Sequence, residues 1–383
     1  MAIMTGLSGN EIFCLHKKGF SPGNMVIGNS VFSMGLLGGI GSGLRTLAGG
    51  EVTQVTSIIH EGRQKSYDRM LSEAQRQGGA GITGVNSELI QHPGNAEFLS
   101  IGSCLHIEGA KSETFDFSSS ADGQELYCQM DAGFKPLKFV FGNVAYSIGI
   151  GGGIGGFFSS MTRGEVKEFS GVFNQTRHLA LQRISHEAVS AGANAVVGIE
   201  TSIIPFQGMQ EMVMIGTASH HDALPAMYKE KPVTSDLTNE EMWNLIHLGY
   251  MPLQLVLGCS VYSLGIVGGI LSAFKSLARG EISEMTNMIY EARENAIGRI
   301  ARDATACGAD DVVGIKTYVY QLGGGMIEFL AIGTAVKKMD GVKTVSDALP
   351  PQAIIRDRDT FINTAERIVG TNLNKKSESS GGE

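Results

Sequence analysis

Gly28-Asn29-Ser30-Val31-Phe32-Ser33 is written three times in this chain. It returns as Gly142-Asn143-Val144-Ala145-Tyr146-Ser147 and again as Gly258-Cys259-Ser260-Val261-Tyr262-Ser263. Working outward from the leading glycine, the offsets hold without a gap. Upstream stand Ser8, Asp122 and Thr238, then Glu11, Glu125 and Glu241, then Gly19, Gly133 and Gly249, then Pro22, Pro136 and Pro252. Downstream stand Glu51, Glu165 and Glu281, then Arg63, Arg177 and Arg293, then Arg69, Arg183 and Arg299, then Gly78, Gly192 and Gly308. Only beyond that does the third copy gain one residue: Gly102 and Gly216 follow the reference glycine by 74 positions, Gly333 by 75. Self-similarity of this length marks tandem copies of one domain. The copies run over roughly 8–106 (the most degenerate), 122–221 and 238–337. Polar linkers lie around Ile107–Ala121 and Asp222–Leu237, and a C-terminal extension covers 338–383. After about residue 370 the extension is rich in Lys, Asn, Ser and Gly, a composition expected to be disordered.

Each copy opens with a helix start. Ser8, Asp122 or Thr238 can accept from free helical N–H groups, and the Glu three residues on can close a capping box. That helix carries Phe13, Tyr127 or Trp243 and stops at a glycine followed by an aromatic residue and a proline. A short apolar strand follows, Leu253–Leu257 in the third copy, then a glycine-rich apolar run, then a long amphipathic helix. In the third copy Ile282, Met285, Met288, Ile289, Ala292, Ala296, Ile300 and Ala301 recur at helical spacing, up to a left-handed cap at Gly308. Two strands close the unit, Asp311–Tyr320 and Glu328–Lys337, joined through Gly323-Gly324-Gly325. The expected fold class is α+β: three tandem repeats, each a capped N-terminal helix, a strand, a long amphipathic helix and a two-stranded hairpin forming a small sheet.

Gly308-Ala309-Asp310-Asp311-Val312-Val313-Gly314-Ile315 and the closing Ala331-Ile332-Gly333-Thr334-Ala335-Val336 resemble the YbjQ-like domain family, whose name carries the words "putative heavy-metal-binding". Gly192-Ala193-Asn194-Ala195-Val196-Val197-Gly198-Ile199 and Ile215-Gly216-Thr217-Ala218 repeat the resemblance, as do the turns Arg163-Gly164-Glu165 and Arg279-Gly280-Glu281. The first copy departs from it, with Gly78-Gly79-Ala80-Gly81-Ile82-Thr83-Gly84-Val85 and Gly102-Ser103-Cys104. The resemblance implies an α+β fold and, for single-domain relatives, pentameric rings. It implies little chemistry.

The composition narrows the function classes. At 43% hydrophobic residues the chain can bury full cores. A net charge of -8 provides no globally basic surface for duplex DNA or anionic lipid, so no nucleic-acid partner is expected. Five scattered cysteines, never spaced Cys-x-x-Cys, suit a reducing cytoplasm better than a disulfide framework. A closed zinc site needs four Cys/His ligands at close spacing, and His220-His221 is the only close pair. No metal ligand is assigned, and a divalent ion is the one cofactor left open. Gly151-x-Gly153-x-x-Gly156 matches a dinucleotide fingerprint in letters, but no βαβ unit follows and the other copies lack it. No nucleophile, base and orienting group recur together, so no catalytic residue is assigned and the chain is read as not an enzyme.

The recurring charges are the candidate interface or ligand residues: Glu51, Glu165 and Glu281; Arg63, Arg177 and Arg293; Arg69, Arg183 and Arg299; Glu97, Glu211 and Glu328. The first set is expected to begin the long helix, where a carboxylate suits the positive end. Twelve residues separate it from the first arginine, too far to pair within one helix, which leaves pairing across repeats or subunits. Close-packing glycines recur as Gly35, Gly38 and Gly39; Gly149, Gly152 and Gly153; and Gly265, Gly268 and Gly269. On a helix these would share one side and permit close backbone approach. The uncharged runs around them, 19–44, 139–162 and 248–274, leave about 16 helical residues each, short of the ~30 Å of a bilayer core.

The function expected from the sequence is a non-enzymatic, self-assembling, ring-forming scaffold or binding protein and a homo-oligomer. It would be cytoplasmic, either as five three-repeat chains stacking three like rings or as a ring of another size. Two alternatives stand beside it. One is a metal- or small-ligand-binding protein with carboxylates gathered at an oligomer axis. The other is a membrane-associated ring, peripheral at the inner face, using the glycine-rich segments.

Overall fold

The computed structural model describes residues 2–33, 50–109, 114–147, 164–206, 209–263, 283–323 and 326–354. The glycine triplets at 35–39, 149–153 and 265–269, together with Glu281, lie outside the described residues, as does the chain after 354.

The first module comprises α1 (Gly9–His16), β1 (Phe20–Ser33), β2 (Gly50–Glu51), α2 (Thr53–Arg76), β3 (Gly81–His92) and β4 (Asn95–Ile107). A linker strand, β5 (Phe117–Ser118), leads to α3 (Gly123–Asp131), β6 (Lys135–Ser147), β7 (Gly164–Glu165), α4 (Lys167–Ser190), β8 (Ala195–Phe206) and β9 (Met209–His220). After a 3₁₀ turn at Ala226–Lys229, the linker strand β10 (Val233–Thr234) precedes α5 (Asn239–His247), β11 (Tyr250–Ser263), α6 (Ser283–Ala306), β12 (Asp311–Gly323) and β13 (Met326–Lys338). A short α7 (Pro351–Ile354) ends the described chain. Among the described residues the molecule is thus mixed α+β, with seven α-helices and three small sheets.

Local chemistry accounts for the starts and stops. Ser8 and Thr238 cap α1 and α5 with complete capping boxes through Glu11 and Glu241. Asp122 caps α3 by accepting from the amides of Gln124 and Glu125. Gly308 takes the left-handed conformation, φ +73°, that ends α6. The first strand of each module is longer than its apolar run suggested. In the third module it spans Tyr250–Ser263, because Pro252 falls at a register shift rather than outside the strand.

The sheets run β1-β4-β3-β5, β10-β8-β9-β6-β2 and β12-β13-β11-β7. The hairpin strands and the first strand pair antiparallel, whereas the linker strands β5 and β10 add in parallel at the outer edge of the preceding module's hairpin. β2 and β7 instead leave their own module and pair with the next one: Gly50 and Glu51 oppose Ser147 and Tyr146, and Gly164 and Glu165 oppose Ser263 and Tyr262. This corrects the expectation that Glu51 and Glu165 begin the long helices. Those helices begin at Thr53 and Lys167, since the backbone N–H of the intervening Val52 and Val166 is taken by the carbonyls of Ala145 and Val261 in the following module.

The layers alternate. Each long helix covers its own sheet, and α2 and α4 then meet the first strand of the next module with their other side. Close contact within a module needs the reference glycine: a Cβ on Gly28, Gly142 or Gly258 would lie 2.0, 2.3 or 2.1 Å from a helical carbonyl oxygen. No side chain fits there.

Candidate functional site

The junction between modules is where the recurring charges converge. Arg63 on α2 reaches Glu211 on β9, with Nε donating to Oε1 at 3.0 Å and Nη2 to Oε2 at 2.7 Å. Its Nη1 donates to the carbonyl and hydroxyl oxygens of Ser87 at 2.8 and 3.1 Å. One module further on, Arg177 on α4 reaches Glu328 on β13, with Nη2 donating to Oε1 and Oε2 at 2.9 and 2.8 Å. Tyr146 lies under the Arg177 guanidinium and accepts from it at 2.8 Å through its hydroxyl. All four charged side chains are fully buried. Removal of two charges from water is tolerated only when both are paired in good geometry, which the two-pronged contact supplies. Burial alone would lower the Arg177 pKa, but the Glu328 carboxylate outweighs it and holds the guanidinium above its ordinary value. Burial pushes the Cys259 thiol far up, and that thiol donates to Glu328 at 3.3 Å.

A second pair repeats alongside the first. Glu51 accepts from Arg183 at 2.7 Å, and Glu165 from Arg299 at 2.8 Å. Burial pushes the Glu165 carboxyl up, but hydrogen bonds from Arg299, Ser170 and Ser260 prevail and hold it below the ordinary value. Each arginine also donates to a backbone carbonyl of its own first strand, Arg183 to Asn143 and Arg299 to Cys259. Helix hydroxyls complete the joint: Thr56 accepts from the Ala145 amide and Ser170 from the Val261 amide, both at 2.9 Å. The recurring arginine–glutamate and hydroxyl–amide contacts between modules thus each occur twice, once at each internal joint.

The chain's two outer faces carry the unmatched halves. Arg69 donates to the Asn29 carbonyl as its counterparts do, with no carboxylate partner among the described residues, and Glu281 lies outside the described residues. Glu97 on β4 pairs with His92 at 2.9 Å. Arg293 on α6 is exposed and packs over the Phe329 ring, 5.7 Å from its centroid, with no carboxylate partner among the described residues. Apolar residues follow the same rule. Met25, Ile27 and Val31 on β1 are exposed, the last at 59%, whereas Phe139, Phe141 and Ala145 on β6 and Leu255, Leu257 and Val261 on β11 are buried. On the opposite face Ile315 and Val319 of β12 and Ile297 of α6 are exposed. Val85, Leu89 and Tyr67 in the first module and Ile199, Ile203 and Leu181 in the second are buried.

A third cluster ties the modules at their first helices. Buried Asp131 accepts from Lys18 at 2.7 Å, from Trp243 Nε1 at 2.8 Å and from the Ser346 hydroxyl at 2.9 Å. Burial raises its carboxyl pKa, yet those bonds together hold it below the usual value. The carboxylate at 131 has no counterpart in the other copies, Lys17 and His247 holding its place, so repeat-matching missed it.

These donor sets do not fit a resident cation. Glu51, Glu165, Glu211 and Glu328 are each engaged by a guanidinium. In the close histidine pair, His220 meets Asp222 at 3.2 Å, while His221 uses both nitrogens: Nε2 donates to the Ala132 carbonyl and Nδ1 accepts from Ala223. Among the described residues no group of three or more His, Cys, Asp or Glu is placed to hold a metal. Nor is any described helix long and apolar enough to cross a membrane.

Comparison with known proteins agrees with the repeat. The family model YbjQ_1, described as "Putative heavy-metal-binding", matches residues 21–104, 133–221 and 250–339. A Mycobacterium tuberculosis protein named as an encapsulin nanocompartment protein is 27% identical over 240 residues, 60% of this chain and 89% of the relative. A UPF0145 protein of Pseudothermotoga lettingae is 45% identical over 85 residues, 22% of this chain and 80% of the relative. One from Methanosarcina acetivorans is 38% identical over 88 residues, 23% and 83% respectively. With three matches that together cover well over half of its length, the chain belongs to the YbjQ-like family.

Proposed function

We propose that this protein is a non-enzymatic scaffold that assembles head to tail, each chain contributing three consecutive modules to one continuous row. The observation that carries this reading is the pair of outer faces. The sheet of the first module presents Met25, Ile27 and Val31 to solvent beside a half-buried Glu97, and the third module presents Arg293 and Ile297 of α6 with Ile315 and Val319 of β12. Their counterparts are buried against each other at both internal joints. A contact between unlike faces is heterologous, so it propagates until rotation closes a ring. Side-by-side modules favour a single row over three like rings stacked on one another. If every joint is used, a closed ring holds a multiple of three modules, and two chains make the smallest one larger than the chain itself. That a relative is named as an encapsulin nanocompartment protein supports an assembling role. Metal binding remains the weaker reading, because the buried carboxylates are committed to arginines.

Native mass spectrometry tests the proposal. Whole-number multiples of the 40.7 kDa chain, beginning with two, are expected. A chain that stays solitary at micromolar concentration overturns it.

A further inference from the structure

The two linkers do more than connect modules. Each lays two residues in parallel beside the preceding module's hairpin: Phe117 and Ser118 oppose Gly81 and Ile82, and Val233 and Thr234 oppose Ala195 and Val196. Flanking bonds repeat as well. The Ser119 amide donates to the Ile82 carbonyl and the Val85 amide to the Ser119 carbonyl; Ser235 makes the same two bonds with Val196 and Ile199. Each linker also grips its own module, since Ser118 and Thr234 accept from the amides of Phe139 and Leu255.

Counted from the reference glycine, Ile3 and Met4 hold the positions of these linker strands, and Thr5 that of Ser119 and Ser235. The own-module half of the contact is already made. The Met4 carbonyl accepts from the Met25 amide at 2.7 Å, at the same step of β1, and Thr5 Oγ1 accepts from the Leu7 amide as Ser119 and Ser235 do from Ala121 and Leu237. Among the described residues no hairpin lies against this segment. Ile3 and Met4 are 54% and 74% exposed. The matching edge is β12: in its sheet, order β12-β13-β11-β7, no linker strand flanks it among the described residues.

We infer that the segment Ile3–Thr5 of one copy adds as a parallel strand to β12 of another, with Ile3 opposite Asp311 and Met4 opposite Val312. The Thr5 amide then donates to the Val312 carbonyl, and the Ile315 amide donates to the Thr5 carbonyl. Strand addition of this kind draws its affinity from main-chain hydrogen bonds, and here it buries two apolar side chains as well. The occupant is a second copy of this chain, because both internal joints already display the finished contact. This inference rests on the head-to-tail reading and adds to it the element that seals the joint.

The test uses the full chain and two substitutions. Thr5→Pro removes the donating amide, whereas Thr5→Ala keeps it. Association is measured by analytical ultracentrifugation, and hydrogen exchange is followed at the amides of Ile315 and Ile199. In the wild-type assembly both amides are expected to be protected. Thr5→Pro should weaken association at least tenfold and release Ile315 while leaving Ile199 slow, and Thr5→Ala should stay within a few-fold of wild type. Association of Thr5→Pro equal to wild type, or an unprotected Ile315 amide in the wild-type assembly, overturns the strand inference and leaves the head-to-tail reading in place. A wild-type chain that never associates removes both.

Discussion

β1 and β6 are copies of the same strand with opposite fates. Along β1 burial alternates, with Val26, Gly28 and Ser30 covered and Met25, Ile27, Asn29 and Val31 open. Along β6 the residues from Phe139 to Tyr146 are all buried, and β11 is covered in the same way. Nothing in the strands' own chemistry makes this difference. β6 and β11 receive the helix of the module before them, and β1 has no such neighbour among the described residues. Apolar residues on both sides of a strand with one side open are what half of the proposed joint requires, and that is what the comparison teaches.

The sharpest way to break the comparison is to delete the same arginine at three equivalent places. Arg177→Ala or Arg63→Ala strands a buried carboxylate and should cost about 3–5 kcal/mol in denaturant unfolding. Arg293→Ala should leave unfolding of the single chain unchanged and lower the population of multimers in native mass spectrometry. Combining Arg293→Glu with Glu97→Arg should restore assembly that either single change weakens. An equal stability loss at all three arginines would mean that the outer faces are not open halves.

Next in size is the contact that does not differ among modules. Gly28→Ala, Gly142→Ala and Gly258→Ala each force a Cβ against helical backbone and should destabilise by roughly 1–3 kcal/mol, by similar amounts in all three modules. A much milder effect at Gly28 would show that the end module packs its own helix more loosely than the inner ones. Val31→Asp should then disperse the assembly while the chain stays folded, whereas Val261→Asp should lower the free energy of unfolding by about 2 kcal/mol or more, as an unpaired charge enters a covered site.

The smallest effect concerns acid. Asp131 titrates below its ordinary value in the folded chain. Its contribution is therefore fully present above the unfolded carboxyl value near 4 and is lost as pH falls through the lower, folded value. Asp131→Asn should flatten the steepest part of the acid unfolding curve, followed by tryptophan fluorescence at Trp243. An unchanged acid limb would remove Asp131 from the set of bonds that join the first helices.

Much of the module is written in local residues. Ser8, Asp122 and Thr238 announce the first helices because capping involves only the next three residues. Apolar spacing announces the long helix for the same reason, since a periodicity of 3.6 is a property of one segment. Glu51 and Glu165 were misplaced by the same logic. A carboxylate before a helix looks like a dipole partner until the neighbouring module's Arg183 and Arg299 arrive from 132 and 134 residues away. Asp131 gave no repeated signal at all, because its partners come from one use of each module and from the C-terminal segment.

By itself the sequence determined that one domain is present three times, where the capped first helix of each copy begins, and which charges recur. Only the tertiary structure decided which arginine meets which glutamate, since the partners are about 150 residues apart and the choice depends on how a helix of one module seats on the sheet of the next. It also decided which copies of an equivalent apolar face are covered. Burial is a property of neighbours in space, and residues alike in sequence do not have like neighbours at the middle and the ends of a row.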